Sequence, residues 1–559
     1  MKNIALILIL NCAAFGQHVR ASSVNEVLNP LSFSGSDIGA QINAAAATCT
    51  RTSQCTILIP PQTAQLSFST SIVFVNNETV ECSPTSVIGN DASGDPTTQL
   101  KYTGSGTAVT MNSIMGRFKG CGLILGSSAS VGFQVANYGN HIVDAGVRDG
   151  GAGTTMIHIG SAAIATEDNH LERVRISNWQ GAAILVDHAN DTYLTNITSY
   201  GKSGAGTGTG LLVDDNTGGL IIESLVCGNC GHNGYWERHT LGGNIASFVF
   251  ARNAEFDLSS ADGMLFDSSL ASANIDASFV TTFVAAAGGA GIHISGGSGI
   301  TVSAGGMIRV NRGDGVLIDV TSRNAEFATI ITGNNIQGNN QSNAANKSGI
   351  RITGHPGTTV ITGNTLTNYP EVGGNQAYGL NAQSDVEGLT FTGNVCSQNV
   401  AGCMNVSSVT GTKLNVVGNV DTTTGPAASF MPGALTVLGN TSTGGHSMIT
   451  TSGTDLLCSA TQPTVTAGFN TTGTIGGSPN GSCSFFVKVG SGTATNNGTI
   501  SLPTAANGWN CFAVNQNRGA YVAQTSNTEN SVVLTNYGNT FSATNFTNGD
   551  NILVSCFAR

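Results

Sequence analysis

The chain has 559 residues, including 74 glycines and only 12 prolines, and charged residues make up 9% of it. Its formal net charge is −11 with no cluster of Lys or Arg, which excludes the basic footprint that nucleic-acid binding requires. Hydrophobic residues, at 40%, suffice for a continuous core, and such scarcity of charge separates the chain from disordered sequences, which are charged and poor in aliphatics.

The N-terminus reads Met1-Lys2-Asn3, an apolar run from Ile4 to Leu10, then Cys12-Ala13-Ala14-Phe15-Gly16. That is the three-part form of a secretory signal, expected to cover residues 1–16, with cleavage after Ala21 as the alternative. Location is therefore expected to be extracellular or at the cell surface. Beyond the leader no apolar run is long enough to span a bilayer. Removing Cys12 from the 13 cysteines leaves an even number, which in an exported chain favours disulfides. Cys49/Cys55, Cys227/Cys230 and Cys396/Cys403 are close pairs, Cys82/Cys121 is a longer one, and Cys458, Cys483, Cys511 and Cys556 remain for the C-terminal part. No second C-x-x-C accompanies Cys227-Gly228-Asn229-Cys230, so a redox or zinc role for it is disfavoured.

Residues 29–66 read as an N-terminal cap. Asp37 stands at a helix start, Ile38, Ile42 and Ala44–Ala47 supply its apolar face, and the helix is expected to end near Cys49. Cys55 to Ile59 is a short buried strand stopped by Pro60. From residue 67 to 440 the pattern is short strands between Gly/Asn turns. One phrase, Ile331-Thr332-Gly333-Asn334, returns at 361–364, as Phe391-Thr392-Gly393-Asn394, and in shortened form at 417–419 and 438–440. Its glycines at 333, 363, 393, 418 and 439 fall 30, 30, 25 and 21 residues apart. A second phrase, glycine and then aliphatic-x-aliphatic, appears at Gly291, Gly315 and Gly349, and earlier at Gly181, Gly210 and Gly263. Such a period marks a solenoid of stacked parallel rungs, each too small to bury itself. Asn at a repeated turn tolerates the left-handed backbone and can ladder its amide from rung to rung. The rhythm stops near residue 440, residues 441–453 read as a linker, and 454–559 read as a separate sandwich-like β-module with strands around Phe485, Trp509, Val532 and Leu553.

Asp37-Ile38-Gly39-Ala40-Gln41-Ile42-Asn43, then Ile57-Leu58-Ile59-Pro60, then Gly/Asn-rich rungs resembles the pectate-lyase-like superfamily of right-handed parallel β-helices, which includes phage tailspikes, polygalacturonases and epimerases. The resemblance covers roughly residues 29–440. It implies an all-β, right-handed parallel β-helix, and it brings trimers among similar proteins, so a homotrimer is one expected assembly, although the residues themselves demand none.

A parallel β-helix forms sites on its side, from residues stacked across rungs. Matching Val186 with Val213 puts Asp187 over Asp214 and His188 over Asp215. Two acids a rung apart suit general acid–base work or could hold Ca²⁺, the one ion the pattern brings to mind; no other cofactor is expected. The same slot holds Asp267, Ser295, Asp319 and Thr353, and a position that accepts Asp, Ser and Thr also reads as a repeated turn cap, the weightier reading. The segment from His232 to His239 packs ionisable and aromatic groups together. Its Gly231-His232-Asn233, with Asp214-Asp215, partly resembles the Asp-Asp and Gly-His-Gly motifs of polygalacturonase-like glycosidases. Asn233 replaces the third glycine, and the Asn-Thr-Asp and Arg-Ile-Lys motifs are missing, which points away from polygalacturonate.

The expected function is thus cleavage of a neutral or weakly charged extracellular polysaccharide, by hydrolysis or elimination, with non-catalytic binding or adhesion as the alternative. The candidate catalytic residues are Asp187, Asp214, Asp215, His232 and Glu237; the candidate substrate-binding residues are Trp179, Tyr235, Trp236, Arg238 and His239. Because neighbours on a strand face opposite ways, at most one of Tyr235 and Trp236 is expected outside. Arg312-Gly313-Asp314 reads as turn chemistry, the Asn-x-Ser/Thr sites at Asn77, Asn196 and Asn470 as chance, and His293 and His355 as isolated surface or packing residues.

Overall fold

In the computed structural model, the residues described are 26–558, except 51–54, 63, 84–97, 161–165, 203–207, 215–216, 239–245, 268–273, 297–298, 321–327, 385, 387, 407–412, 423–427, 431–433, 439–440, 443–461, 471–472, 477–483, 493, 506–507, 519–520 and 539–541. The expected leader, the two cysteines at 458 and 483, and most of the expected linker lie outside them. The chain divides into two compact units, residues 1–211 with 216–221, and residues 212–215 with 222–559. Both are built as right-handed parallel β-helix, and the second also carries an antiparallel module.

In the first unit, helix α1 (Ile38–Ala46) closes the end of the coil. Asp37 caps it: one carboxylate oxygen accepts from the Ala40 N–H at 2.9 Å, and the other accepts from Ser69 and Thr70 at 2.8 and 3.0 Å. Burial works to raise this carboxyl, but those N–H donors overcome it and hold it down to about 2. One side chain therefore starts the helix and ties it to the rung below. Strand Cys55–Ile59 pairs in parallel with Glu78–Cys82, so it belongs to the ladder itself, and an additional short strand, Glu26–Leu28, pairs on its other side. One sheet of this unit stacks Ile72–Phe74, Thr107–Met111, Val131–Val135, Thr155–Ile159 and Ile184–Val186 in strict register.

In the second unit the equivalent sheet stacks Tyr235–Arg238, Met264–Asp267, Ile292–Ile294, Val316–Ile318, Ile350–Ile352, Tyr378–Ala382 and Gly402–Val406. Both repeated phrases have a physical cause here. The glycine that opens each of these strands sits where rungs touch. A Cβ on Gly263, Gly291, Gly315 or Gly349 would meet the carbonyl oxygen of the next glycine in the column at 2.6, 2.7, 2.5 and 2.9 Å, inside contact distance. In the other phrase, Gly333, Gly363, Gly393 and Gly418 have φ of +67, +66, +63 and +63°, the left-handed region that glycine enters freely. The asparagines that follow form a buried ladder. Asn334, Asn364 and Asn394 each donate side-chain N–H to the Oδ1 of the asparagine one rung on, Asn364, Asn394 and Asn419, at 3.3, 3.0 and 3.0 Å. Each also donates to a backbone carbonyl, so the side-chain N–H groups are satisfied in the core. A second ladder runs through Asn311, Asn339, Gln376 and Asn399.

The C-terminal module is an eight-stranded antiparallel sheet in the order 464–467, 497–501, 531–537, 521–528, 509–515, 551–558, 485–488, 474–476. One face packs a core of its own around Phe469, Phe485, Trp509, Val532 and Ile552. Disulfides join Cys49–Cys55, Cys82–Cys121, Cys396–Cys403 and Cys511–Cys556. Cys227 and Cys230, expected to be bonded, are buried thiols whose sulfurs lie 2.9 Å apart. Among the described residues no helix is long and apolar enough to cross a membrane.

Candidate functional site

Strand Tyr235–Arg238 decides which predicted residues can meet a ligand. Its alternation turns Tyr235 and Glu237 inward, both 0% exposed, and Trp236 and Arg238 outward. The Tyr235 hydroxyl donates to Glu237 Oε2 at 2.6 Å, and burial, together with the charge of Glu237, pushes the phenol well above its ordinary value. Glu237 is therefore a polar group of the core, not a groove carboxylate, and Tyr235 packs against Phe256, Phe266 and Phe279 rather than offering a sugar platform.

Outside, Arg238 donates from Nε to Asp214 Oδ2 at 2.8 Å and lays its guanidinium 4.9 Å over the Trp236 ring. His232, on the turn before the strand, meets the same indole with ring centroids 5.4 Å apart. Trp236 Nε1 and His232 Nδ1 are buried and make no hydrogen bond among the described residues. Four of the sequence-predicted residues, Asp214, His232, Trp236 and Arg238, thus form one cluster: an indole in contact with a guanidinium and an imidazole, with a carboxylate fixing the guanidinium. Asp215 and His239 lie outside the described residues.

The register continues this outer face along the second unit. Trp236 stands in one column with Leu265, His293, Leu317, Arg351, Asn381 and Asn405, and Arg238 in the next with Asp267. His293 is not isolated. Its Nδ1 lies 2.8 Å from Asp262 Oδ2 and its Nε2 lies 3.0 Å from Asp319 Oδ1. Carboxylates only accept, so both ring nitrogens must carry protons. Burial works to lower this group, but the two aspartates overcome it and hold the imidazolium up to about 9.

The aspartates come from two recurrent positions. Asp262 immediately precedes the column glycine Gly263, and its other oxygen accepts from the Ala290 N–H one rung on, at 2.7 Å. Asp314, before Gly315, repeats the device: Oδ1 accepts from Ser348 N–H at 2.7 Å, while Oδ2 takes Arg351 Nε at 2.8 Å and Lys347 Nζ at 3.3 Å. An acid before the glycine therefore binds the next rung's backbone and its outward base together. Asp314 is fully buried, so Arg312-Gly313-Asp314 is a rung junction and not a displayed tripeptide. Asp267 and Asp319 occupy the slot shared with Ser295 and Thr353, as aligned from the sequence, and Asp319 serves His293 rather than its own turn.

In the first unit, Asp187 lies beside two imidazoles. It bonds His188 Nδ1, and its Oδ2 is 3.8 Å from His158 Nε2. Burial works to raise the carboxyl, and the imidazoles overcome it, leaving it below its ordinary value. Trp179, expected to extend a sugar platform, is 1% exposed and belongs to the core. Among the described residues no group of three or more His, Cys, Asp or Glu is arranged to hold a metal ion. Burial raises two carboxyls that the sequence reading passed over, Glu255 and Asp257, two residues apart on strand Ala246–Asp257. They belong to the longer sheet, not to the Trp236 column.

No family model matches the chain, and no curated protein matches it. Solved structures do. A mannuronan C-5 epimerase A-module from Azotobacter vinelandii is similar at 16% identity and a TM-score of 0.46, over 69% of this chain and 99% of its own. A tailspike protein of E. coli bacteriophage HK620 is similar at 11% identity and a TM-score of 0.46, over 96% and 94%. The catalytic domain of a GH87 alpha-1,3-glucanase is similar at 11% identity and a TM-score of 0.38, over 71% and 69%. The likeness is one of fold.

The sequence reading missed the Asp262–His293–Asp319 clamp because its members are 31 and 26 residues apart. A signal for it was present: an Asp before the column glycine, and a base two residues after the next column glycine, occur both at Asp262/His293 and at Asp314/Arg351.

Proposed function

We infer that this chain is an exported protein acting on polysaccharide, with the glycan lying along the outer strip of the second unit. The observation that carries this reading is the strip itself: Trp236, Leu265, His293, Leu317, Arg351 and Asn405 are partly exposed in one column of rungs, which only the buried Asn381 interrupts. A polymer of repeating rings suits a surface that repeats every ~4.8 Å. The indole and the two leucines supply apolar contact to sugar faces, and the Asn405 amide and the bases supply hydrogen bonds to hydroxyls. Each base already has its aspartate, so the strip carries no surplus positive charge, which fits a neutral or weakly charged glycan. In the enzymatic reading, Asp214 and His232 flank the bond to be broken, beside Trp236.

One observation favours binding without cleavage. Asp214 is committed to Arg238, and Glu255 and Asp257, carboxyls that burial raises, lie on the other sheet. Incubating the chain with a polysaccharide panel, and measuring new reducing ends and unsaturated ends, separates the readings. The enzymatic reading expects depolymerisation of one member, lost in both Asp214→Asn and Trp236→Ala. Depolymerisation that survives Asp214→Asn removes Asp214 from the chemistry, and survival in Trp236→Ala removes the strip as its site.

A further inference from the structure

The C-terminal sheet is apolar on both faces. An antiparallel sheet with one solvated face ordinarily alternates apolar-in, polar-out. Strand Trp509–Asn515 does not: Trp509, Cys511 and Ala513 face the module's core, while Phe512 and Val514 face out. The outward residues are in register across five strands. Phe486 pairs with Leu553, Leu553 with Val514, Val514 with Tyr521, and Tyr521 with Tyr537. Beside this row, Phe512 stands opposite Ser555 and Ala523. Tyr521 is 61% exposed and Phe512 is 70% exposed, and the Tyr521 and Tyr537 rings lie 6.1 Å apart. Contiguous exposed apolar surface of this kind marks a binding face.

We propose that this row is a second polysaccharide-binding site, which holds a neutral glycan across the strands and is distinct from the strip around Trp236. Five positions at ~4.8 Å spacing make a linear track of roughly 20 Å, the shape of an extended polymer. Its rings can stack on the apolar faces of sugars, and the Tyr521 and Tyr537 hydroxyls, which make no hydrogen bond among the described residues, can serve the sugar hydroxyls. Hydroxyls and an amide lie next to the row: Thr525 and Thr535 bond each other at 2.8 Å, and Thr535 donates to Asn497 at 2.7 Å. Among the described residues of the module, charge is limited to Lys488 at one end of the row, the Arg518–Asp550 pair and Glu529 on the turn beyond Thr528. A second copy of the chain would bring no complementary charge to this face and carries the same −11.

The test uses the full chain and its variants Tyr521→Ala and Phe512→Ala, both at exposed positions, with thermal unfolding as a check on folding. Each is sedimented with particulate cellulose, mannan, xylan and chitin, and with polygalacturonate gel as an acidic control. Retention on at least one neutral polymer is expected. It should fall roughly tenfold or more in either variant and persist from ~0.1 to ~1 M salt, since stacking is not ionic. The comparison is repeated in a Trp236→Ala background, where the strip is disabled, and the loss caused by Tyr521→Ala or Phe512→Ala should be as large there, so failure here is distinct from failure of the strip. Retention equal in both variants and parent, or no retention of the parent on any neutral polymer, overturns the proposal. A fall in sedimenting mass of the free chain in the variants, with glycan retention unchanged, assigns the face to self-association instead.

Discussion

His141 in the first unit and His293 in the second occupy the same kind of place, an outward position on a parallel ladder, yet at neutral pH the first is neutral and the second cationic. His141 stacks on His170, which stacks on Tyr193, with ring centroids 4.5 and 4.4 Å apart and planes within 10°. Burial, and then repulsion from His170 and Arg117, pushes it down to about 4, with Asp168 and Glu172 opposing weakly. His293 has an aspartate on each ring nitrogen and is held up to about 9. In a stacked coil the state of a side chain is set by what stands one rung away, not by its neighbours in sequence.

The largest effect should come from the ladders that enforce the stacking. Asn394 accepts from the backbone N–H and side chain of Asn364 and donates to the Ile361 carbonyl, all in the core. Asn394→Ala strands those partners and should cost about 4 kcal/mol in denaturant unfolding of the second unit. A cost near that of an exposed substitution would mean the ladder is not what holds these rungs.

The His293 clamp should be next. Its folded value lies above the unfolded one, so its contribution is complete below about pH 6.5 and is lost as pH rises through about 9. Stability of the second unit should fall across that window by up to about 3 kcal/mol, and His293→Gln should flatten the dependence. A profile unchanged by the substitution would show that the clamp is not formed.

His141 should give the opposite sign. Its folded value is depressed, so the unfolded chain takes up a proton first, and stability should fall as pH drops from about 6.5 to about 4. With the ring partly exposed, roughly 1–2 kcal/mol is expected. His141→Phe, which keeps a flat ring in the stack, should abolish that dependence; its persistence would place the acid sensitivity elsewhere. The smallest effect is at the cap: Asp37→Ala should cost about 1 kcal/mol in the first unit, read by thermal unfolding, and no loss at all would contradict the capping role.

The fold was legible because the parts of it that repeat are the parts that touch. Gly315 must lack a Cβ for the next rung to approach, and Asn364 must be an amide to bond above and below, so spacing alone exposed the coil. That at most one of Tyr235 and Trp236 faces out, and the slot shared by Asp267 and Asp319, followed from strand alternation and rung matching; which of the two rings is outside did not. The site was less legible. Glu237 has the chemistry of a catalytic acid, yet its place on the strand turns it into the core, and Trp179 is likewise interior. The partners of His293 and Arg351 are rung neighbours that a linear reading treats as distant, and the outward row on the C-terminal module looks in sequence like ordinary core strand.

The strip can be tested most directly by fluorescence. Of the three tryptophans, Trp179 and Trp509 are each 1% exposed and only Trp236 is on the strip. Titrating the chain with soluble oligosaccharides from the polymer it engages should change the indole emission saturably, and Trp236→Phe should abolish that change. A saturable change of the same size in Trp236→Phe would contradict the placement of the glycan along the second unit's outer strip.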